Sequence, residues 1–363
     1  MASIIPNRRR LLLAALATGG LMPTFVLSEA AKPAAQVTQR WQTRNTTLSP
    51  LSLLQGHLLF SGNATLGRVD PGHAQAIWER DHGLPGGALY RPRAAGDSVI
   101  TGGLHALGAW NLADGQARWL HRARVQVGTP FVSPTHTLVG DGHELLALRN
   151  TDGHIDWRFA STPDTLASYA PTQANDTVFF GPGNGILYAL DAASGQRKWQ
   201  LDDSKEWQYI RQMYVSGNTL VAGTYTELLY GIDTASGQVL WKFKAGNFIN
   251  SHHVAGDLAL LWSPTGYIFA IDVANGLVRW RHQTTRYGNR SANWGHMMAE
   301  LVSHNGRLYC LDMNHVLHVL DLSNGEELLR VPFDHDLRPT VQVIDPQQVA
   351  LATETGAIQL AQW

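Results

Sequence analysis

Arginine, tyrosine and histidine are the residue types through which this sequence can do chemistry. Arg91, Arg211 and Arg338, with Tyr90 and Tyr169, supply cations and hydroxyl donors suited to an anionic ligand or an acidic peptide segment. His252, His253 and His296, from "NSHHVAG" and "NWGHMM", offer imidazoles to a metal. Adjacent residues of a strand point to opposite faces, so at most one of the pair joins His296. Two imidazoles with no nearby carboxylate or thiolate make a weak ligand set, so no metal site is expected. His315 and His318 in "NHVLHVLDL" read as packing or surface residues of a strand. Cys310, the single cysteine, sits in the strand run "RLYCLD" and reads as an inert buried thiol, which excludes internal disulfides and paired-cysteine zinc. No catalytic residue can be assigned. "GPGNG" at 181–185 lacks the Lys-Ser/Thr end of a phosphate cradle, His143-Glu144 lacks the second histidine of a zincin, and no Gly-x-Ser-x-Gly elbow occurs.

The elements that must carry these residues announce themselves as a repeat. "ALDAASGQRKWQ" from Ala189 recurs as "GIDTASGQVLWKF" from Gly231, "AIDVANGLVRWRH" from Ala270 and "AWNLADGQARWLH" from Ala109. The Asp accepts hydrogen bonds from its own turn, the Gly takes positive φ, and the Trp four residues later fills the gap between one twisted sheet and the next. Trp78, Trp119, Trp157, Trp199, Trp241 and Trp280 occupy this place, with Leu329 continuing it; successive intervals are 41, 38, 42, 42, 39 and 49 residues. That period suits four short strands, one propeller blade. The last unit, opened by Gly356, lacks its outer strand, and "TQRWQTRN", centred on Trp41, can supply it and remove two exposed edges. The expectation is an all-β, eight-bladed propeller of four-stranded blades closed by the N-terminal strand, with a seven-bladed ring as the alternative.

Composition agrees with a large packed core: 363 residues, 44% hydrophobic and 16% charged. Residues 1–30 read as a signal peptide, with Asn7-Arg8-Arg9-Arg10-Leu11-Leu12 resembling a twin-arginine export signal and Ser28 to Ala30 offering a cleavage site. The propeller then spans 31–363. Without the signal, 25 basic face 28 acidic residues, which gives nucleic acid no attraction. No stable membrane span remains, and a monomer in the periplasm is expected.

The pattern small-x-Asp-x-x-Ser/Thr/Asn-Gly-x-x-x-Trp resembles the tryptophan-docking repeat of PQQ-like eight-bladed propellers. That resemblance implies one of two functions. One branch holds pyrroloquinoline quinone and calcium on the propeller axis and oxidises alcohols or sugars; the other consists of non-catalytic scaffolds such as the lipoprotein of the β-barrel assembly machinery. This chain resembles the scaffold branch in length, although it has no Cys at 28–36 to be lipidated. It lacks the adjacent cysteine pair and the Cys-x-x-Cys-His haem motif of the enzymes. The expectation is a protein-binding scaffold without cofactor, partnered by a periplasmic or envelope protein, with a small quinone-binding oxidoreductase as the alternative. The funnel is expected at the starts of inner strands, from Tyr90, Arg91, Tyr169, Arg211, His253, His296 and Arg338. Two irregular connections, carrying Trp207 and Tyr209, and Arg286, Tyr287, Arg290 and Trp294, are expected to face the partner.

Overall fold

The sequence repeat is a tight hairpin in the computed structural model, which describes residues 36–363 apart from 55, 73–74, 162–164, 208, 225–226, 246–250, 264–265, 285–299 and 334–335. Asp191 Oδ1 accepts the amides of Ala193 and Ser194 and the Ser194 hydroxyl, at 3.2, 2.9 and 2.8 Å. The Gly195 amide donates to the Asp191 carbonyl, and Gly195 sits at φ +70°, a state that a β-carbon disfavours. Asp233 and Gly237 repeat the same turn. After each turn the ladder shifts register by one residue opposite the tryptophan, as between Ala189 and Leu190, and a small residue faces the indole: Ala189 opposite Trp199, Gly231 opposite Trp241, Ala270 opposite Trp280.

Eight such units make the molecule. After β1 (Gln36–Gln42), blade 1 comprises β2 (Ser52–Leu54), β3 (His57–Ser61), β4 (Thr65–Asp70) and β5 (Gln75–Asp81). Blade 2 is β6 (Arg93–Ala95), β7 (Ser98–Gly103), β8 (Ala106–Asn111) and β9 (Ala117–Arg122); blade 3 is β10 (Phe131–Val132), β11 (His136–Asp141), β12 (Glu144–Arg149) and β13 (Ile155–Ala160). Blade 4 is β14 (Thr172–Ala174), β15 (Thr177–Phe180), β16 (Ile186–Asp191) and β17 (Arg197–Asp202); blade 5 is β18 (Ile210–Ser216), β19 (Thr219–Thr224), β20 (Leu228–Asp233) and β21 (Val239–Lys244). Blade 6 is β22 (Ser251–Ala255), β23 (Leu258–Trp262), β24 (Tyr267–Asp272) and β25 (Val278–Gln283); blade 7 is β26 (Leu301–His304), β27 (Arg307–Leu311), β28 (Val316–Asp321) and β29 (Glu327–Pro332). Blade 8 is β30 (Leu337–Asp345), β31 (Gln348–Thr353) and β32 (Ala357–Gln362), with β1 paired antiparallel to β32 as its outer strand. No helix among the described residues is long and apolar enough to cross a membrane. Residues 1–30, the expected signal, lie outside the described set.

First strands pack against first strands of neighbouring blades, β14 on β18, β18 on β22, β22 on β26, β26 on β30 and β30 on β2, so these strands are innermost. Each connection leaving an outer strand first bonds the central turn of its own blade: Ala123 to His105, Ser161 to His143, Asp203 to Gly185 and Thr284 to Gly266. Connections and central turns therefore share one face, the loop face. The Asp-Gly turns lie on the other, the docking face.

On the docking face each wedge seats in the next blade. Trp157 Nε1 donates to the Ala192 carbonyl at 3.0 Å, Trp199 to Thr234 at 3.0 Å, Trp241 to Val273 at 2.8 Å and Trp280 to Leu322 at 3.0 Å. Trp78 and Trp119 do the same to Leu112 and Asn150. The acceptor always lies three residues before a turn glycine, and the indole lies on that glycine: a β-carbon on Gly195 would fall 2.5 Å from the Trp157 ring. The turn glycine therefore serves both its own φ and the preceding blade's tryptophan. Trp41 on β1 meets Phe60 edge-on at 4.9 Å; the blade 1 turn that faces it contains residues 73–74, outside the described set. Leu329 has no glycine turn opposite because the outer partner of β32 is β1, and it packs in an apolar cluster with Val331 and Trp363.

Candidate functional site

Blades converge along the inner strands, from the loop-face residues Arg91 and Glu300 inward. Arg91, two residues before β6, pairs with Glu300, which immediately precedes β26 on the far side of the ring. Arg93, on the same side of an extended segment as Arg91, and Tyr214 of β18 are its electrostatic neighbours. His253 of β22 shares a hydrogen bond with the Ser303 hydroxyl of β26 at 2.9 Å, and its ring lies 5.7 Å from Tyr214. Groups from blades 2, 5, 6 and 7 thus meet at one place. Burial pulls the Arg91 guanidinium down to about 9, with Arg93 adding repulsion and Tyr214 opposing it. Arg91 stays charged at neutral pH. Arg93 is exposed to solvent, yet burial among protein atoms lowers it as well, the combination that a side chain in a narrow wet opening shows. Two guanidiniums against the Glu300 carboxylate leave this opening cationic.

The other expected funnel residues, and His252 beside them, make contacts of their own. The Tyr90 hydroxyl donates to the Val127 carbonyl at 2.6 Å and braces blades 2 and 3; burial raises it to about 12. His252 is 2% exposed, and burial drives it down to about 3, so it is a neutral packing residue against Tyr214. Arg338 reaches Glu354 of its own blade at 4.0 Å. Arg211, on β18, repels a proton on His252. Tyr169 packs edge-on to Tyr209 with ring centres 6.0 Å apart.

Trp207, expected to face a partner, is instead an anchor. It is 2% exposed, donates Nε1 to the Gly185 carbonyl at 2.6 Å and meets the Tyr230 ring at 4.4 Å. The cause is local: the Trp207 amide donates to the Asp203 carbonyl, which curls residues 203–207 back under the ring. His296, Arg286, Tyr287, Arg290 and Trp294 lie outside the described residues. Sequence reading missed Arg93, Tyr214 and Glu300. Arg93 had a signal, the two-residue period from Arg91 in "YRPRAAG". Glu300 had none, since its partner stands 209 positions away.

Beside the opening runs an apolar rim. Leu89, Leu104, Val125 and Leu166 are 53, 38, 62 and 40% exposed. Backbone bonds join their segments across blades 2 to 4: Leu89 to Gly102, Val127 to Leu104, Gly142 to Gln126 and Ala167 to Gly142. Exposed apolar side chains gathered on neighbouring segments in this way mark an interaction surface more often than a catalytic one.

An eight-bladed β-propeller with interblade tryptophan docks and a cationic opening on one face is the class of protein defined so far. Residues 62–206 and 184–295 match the family described as outer membrane protein assembly factor BamB, and the chain belongs to that family. No curated protein matches it in sequence. In fold it is similar to BamB from Moraxella catarrhalis, with TM-score 0.70 and 15% identity over 91% of this chain and 98% of that one. It is also similar to the computationally designed protein Ika8, with TM-score 0.74 and 13% identity over 89% and 98%. Quinohemoprotein alcohol dehydrogenase from Comamonas testosteroni shares the fold at TM-score 0.68 and 11% identity, over 90% of this chain and 76% of the enzyme.

Proposed function

We propose that this protein is an exported, non-catalytic scaffold of the cell envelope that binds a protein partner through the loop face of blades 2 to 4. Membership of a family described as an outer membrane protein assembly factor supports a protein-binding module. The single observation that carries the reading is the apolar rim of Leu89, Leu104, Val125 and Leu166 beside the cationic opening. Together they suit an acidic segment that presents apolar side chains. Arg8 to Arg10 and the apolar run behind them support export to the periplasm.

The same geometry disfavours a quinone held with calcium. Calcium takes six to eight oxygen ligands, several of them carboxylates. The described opening offers guanidiniums, imidazole and phenol, and its carboxylate, Glu300, is held by Arg91. The test is site-specific photocrosslinking in the native periplasm from positions 125 and 209, with position 277 on the docking face as control. Adducts to one envelope protein from 125 and 209 alone are expected. Adducts confined to 277, or stoichiometric quinone in protein purified from that periplasm, would overturn the scaffold reading.

A further inference from the structure

The boundary between blades 6 and 7 departs from the packing at the boundaries of blades 3 and 4, 4 and 5, and 5 and 6. Two residues after the docking tryptophan, an outer strand meets the third strand of the next blade through an aromatic or apolar pair. Phe159 meets Tyr188 at 5.0 Å, Phe243 meets Phe269 at 5.5 Å, and Leu201 and Tyr230 share one apolar cluster. Between blades 6 and 7 the same two places hold His282, on β25, and His318, on β28. Two residues after the turn glycine, where blade 5 has Val239, blade 7 has Glu327. His282 and His318 thus stand where those three boundaries hold aromatic or apolar pairs, and Glu327 joins them; in the remaining blades the equivalent places include Arg80, His121 and Arg197.

Their donor atoms converge. His318 Nδ1 lies 2.7 Å from Glu327 Oε1, His282 Nε2 lies 3.8 Å from the same oxygen, and all three atoms fall within 4.8 Å of one another. His318 is fully buried, and its Nε2 is 3.3 Å from Asp312 Oδ2, itself fully buried. A carboxylate behind a histidine in this way fixes the ring and leaves the other nitrogen to a metal. His282 Nε2 is buried with no hydrogen-bond partner. The Gly325 carbonyl also lies near the ring, and Nε2 stands 3.8 Å from Glu327 Oε1. A buried nitrogen without a partner carries a desolvation cost that a bound cation would remove.

We propose that His282 Nε2, His318 Nδ1 and Glu327 Oε1 form a binding site for a zinc-class divalent transition metal, with Asp312 orienting His318. Two imidazoles and one carboxylate select zinc, cobalt or nickel over calcium and magnesium, which require oxygen. Tetrahedral ligands about 2.1 Å from zinc stand about 3.4 Å apart. The 3.8 Å edge closes slightly, the 2.7 Å edge opens by about 0.7 Å, and the edge between the two imidazoles, within 4.8 Å, closes by up to about 1.4 Å, through rotamer adjustment of His282 and Glu327, each 18% exposed. Three protein ligands leave a fourth position to water on the exposed side of His282 and Glu327.

The experiment uses the full mature chain stripped with chelator and titrated with zinc alone, followed by calorimetry and thermal melting, with cobalt as an absorbance probe. One zinc per chain, a raised melting temperature and tetrahedral cobalt bands are expected. His282→Ala removes a mostly buried ring at the blade boundary, so the metal-free protein should fold but melt below the parent, while zinc affinity falls at least about tenfold and the zinc-induced shift, read against the variant's own metal-free melt, is lost. Glu327→Gln, similar in size, should likewise lose the cobalt bands. Zinc that neither binds nor shifts melting would overturn the site and leave a hydrogen-bonded histidine-carboxylate cluster. Equal binding by the parent and His282→Ala would overturn it too, by placing the metal on surface histidines.

Discussion

The docking face and the loop face are built from the same eight blades under opposite rules. On the docking face one local device is copied around the ring: an Asx turn, a glycine near φ +75° and an indole from the preceding blade. On the loop face the described connections share their first backbone bond to the central turn and then diverge. Asp203 to Trp207 curls inward, the Leu89 segment leans on blade 2's central turn, and Arg91 reaches Glu300 across the axis. Regularity locks the ring together, and irregularity is confined to the side where it can be used for recognition.

Trp207 challenges that division most directly, because it is a loop-face residue with a docking residue's environment. Trp207→Ala should cost about 3–5 kcal/mol, as loss of a buried indole does. Trp199, only partly buried in its dock, should cost less on truncation, roughly 2–3 kcal/mol. Urea melts decide the order. A loss under about 1 kcal/mol at Trp207 would mean that residues 203–209 lie outside the cooperative core.

Acid should act next most strongly, through His252. Burial holds it down at about 3, while the unfolded chain titrates near 6.5. Between those values the unfolded state binds the extra proton, so stability rises with pH and is lost as pH falls from 6.5 toward 3. The loss assigned to this residue is on the order of a few kcal/mol. His252→Gln should flatten that part of the curve in denaturant melts at pH 4, 5, 6 and 7. An unchanged slope would mean that His252 gains a proton in the folded protein.

The two faces also differ in how readable they were. The docks were legible because Asp, Gly and Trp are adjacent in sequence and perform the same task in each copy. Blade count and wedge positions follow from residues such as Asp191, Gly195 and Trp199. The opening was partly legible: Arg91 was found at a strand start, whereas Tyr214 lies four residues into β18 and Glu300 belongs to no repeat position. Tyr90 was expected in the funnel, yet its hydroxyl braces blades 2 and 3. The first residues of an inner strand alternate between facing the opening and packing against the neighbouring blade, and sequence does not say which comes first. His318 read as packing because its partners His282 and Glu327 belong to other strands.

A smaller effect separates the two duties of the turn glycine. Gly195 and Gly217 both have positive φ, at +70° and +54°, but a β-carbon on Gly217 would meet nothing within 4 Å. Gly217→Ala should cost about 1 kcal/mol of backbone strain. Gly195→Ala adds a collision with the Trp157 ring and should cost roughly 1–2 kcal/mol more. Equal losses would show that the indole yields, and that φ alone explains the glycine.

The smallest expected effect on stability tests the loop face itself. Arg93 is exposed, and its repulsion of Arg91 offsets its attraction to Tyr214, so Arg93→Gln should change stability by less than about 0.5 kcal/mol. Val125→Ser, on the rim, should be similarly mild because Val125 is 62% exposed. Both should nevertheless reduce the periplasmic crosslink from position 209 several-fold at equal protein level. The Arg93 change should also weaken the dependence of crosslink yield on salt, since it removes a charge that steers an acidic partner. A docking-face change of comparable exposure, Leu277→Ser, should leave the crosslink unchanged. If Leu277→Ser reduced the adduct as much as Arg93→Gln, the partner would be reading the ring as a whole, and the functional division between the two faces would fail.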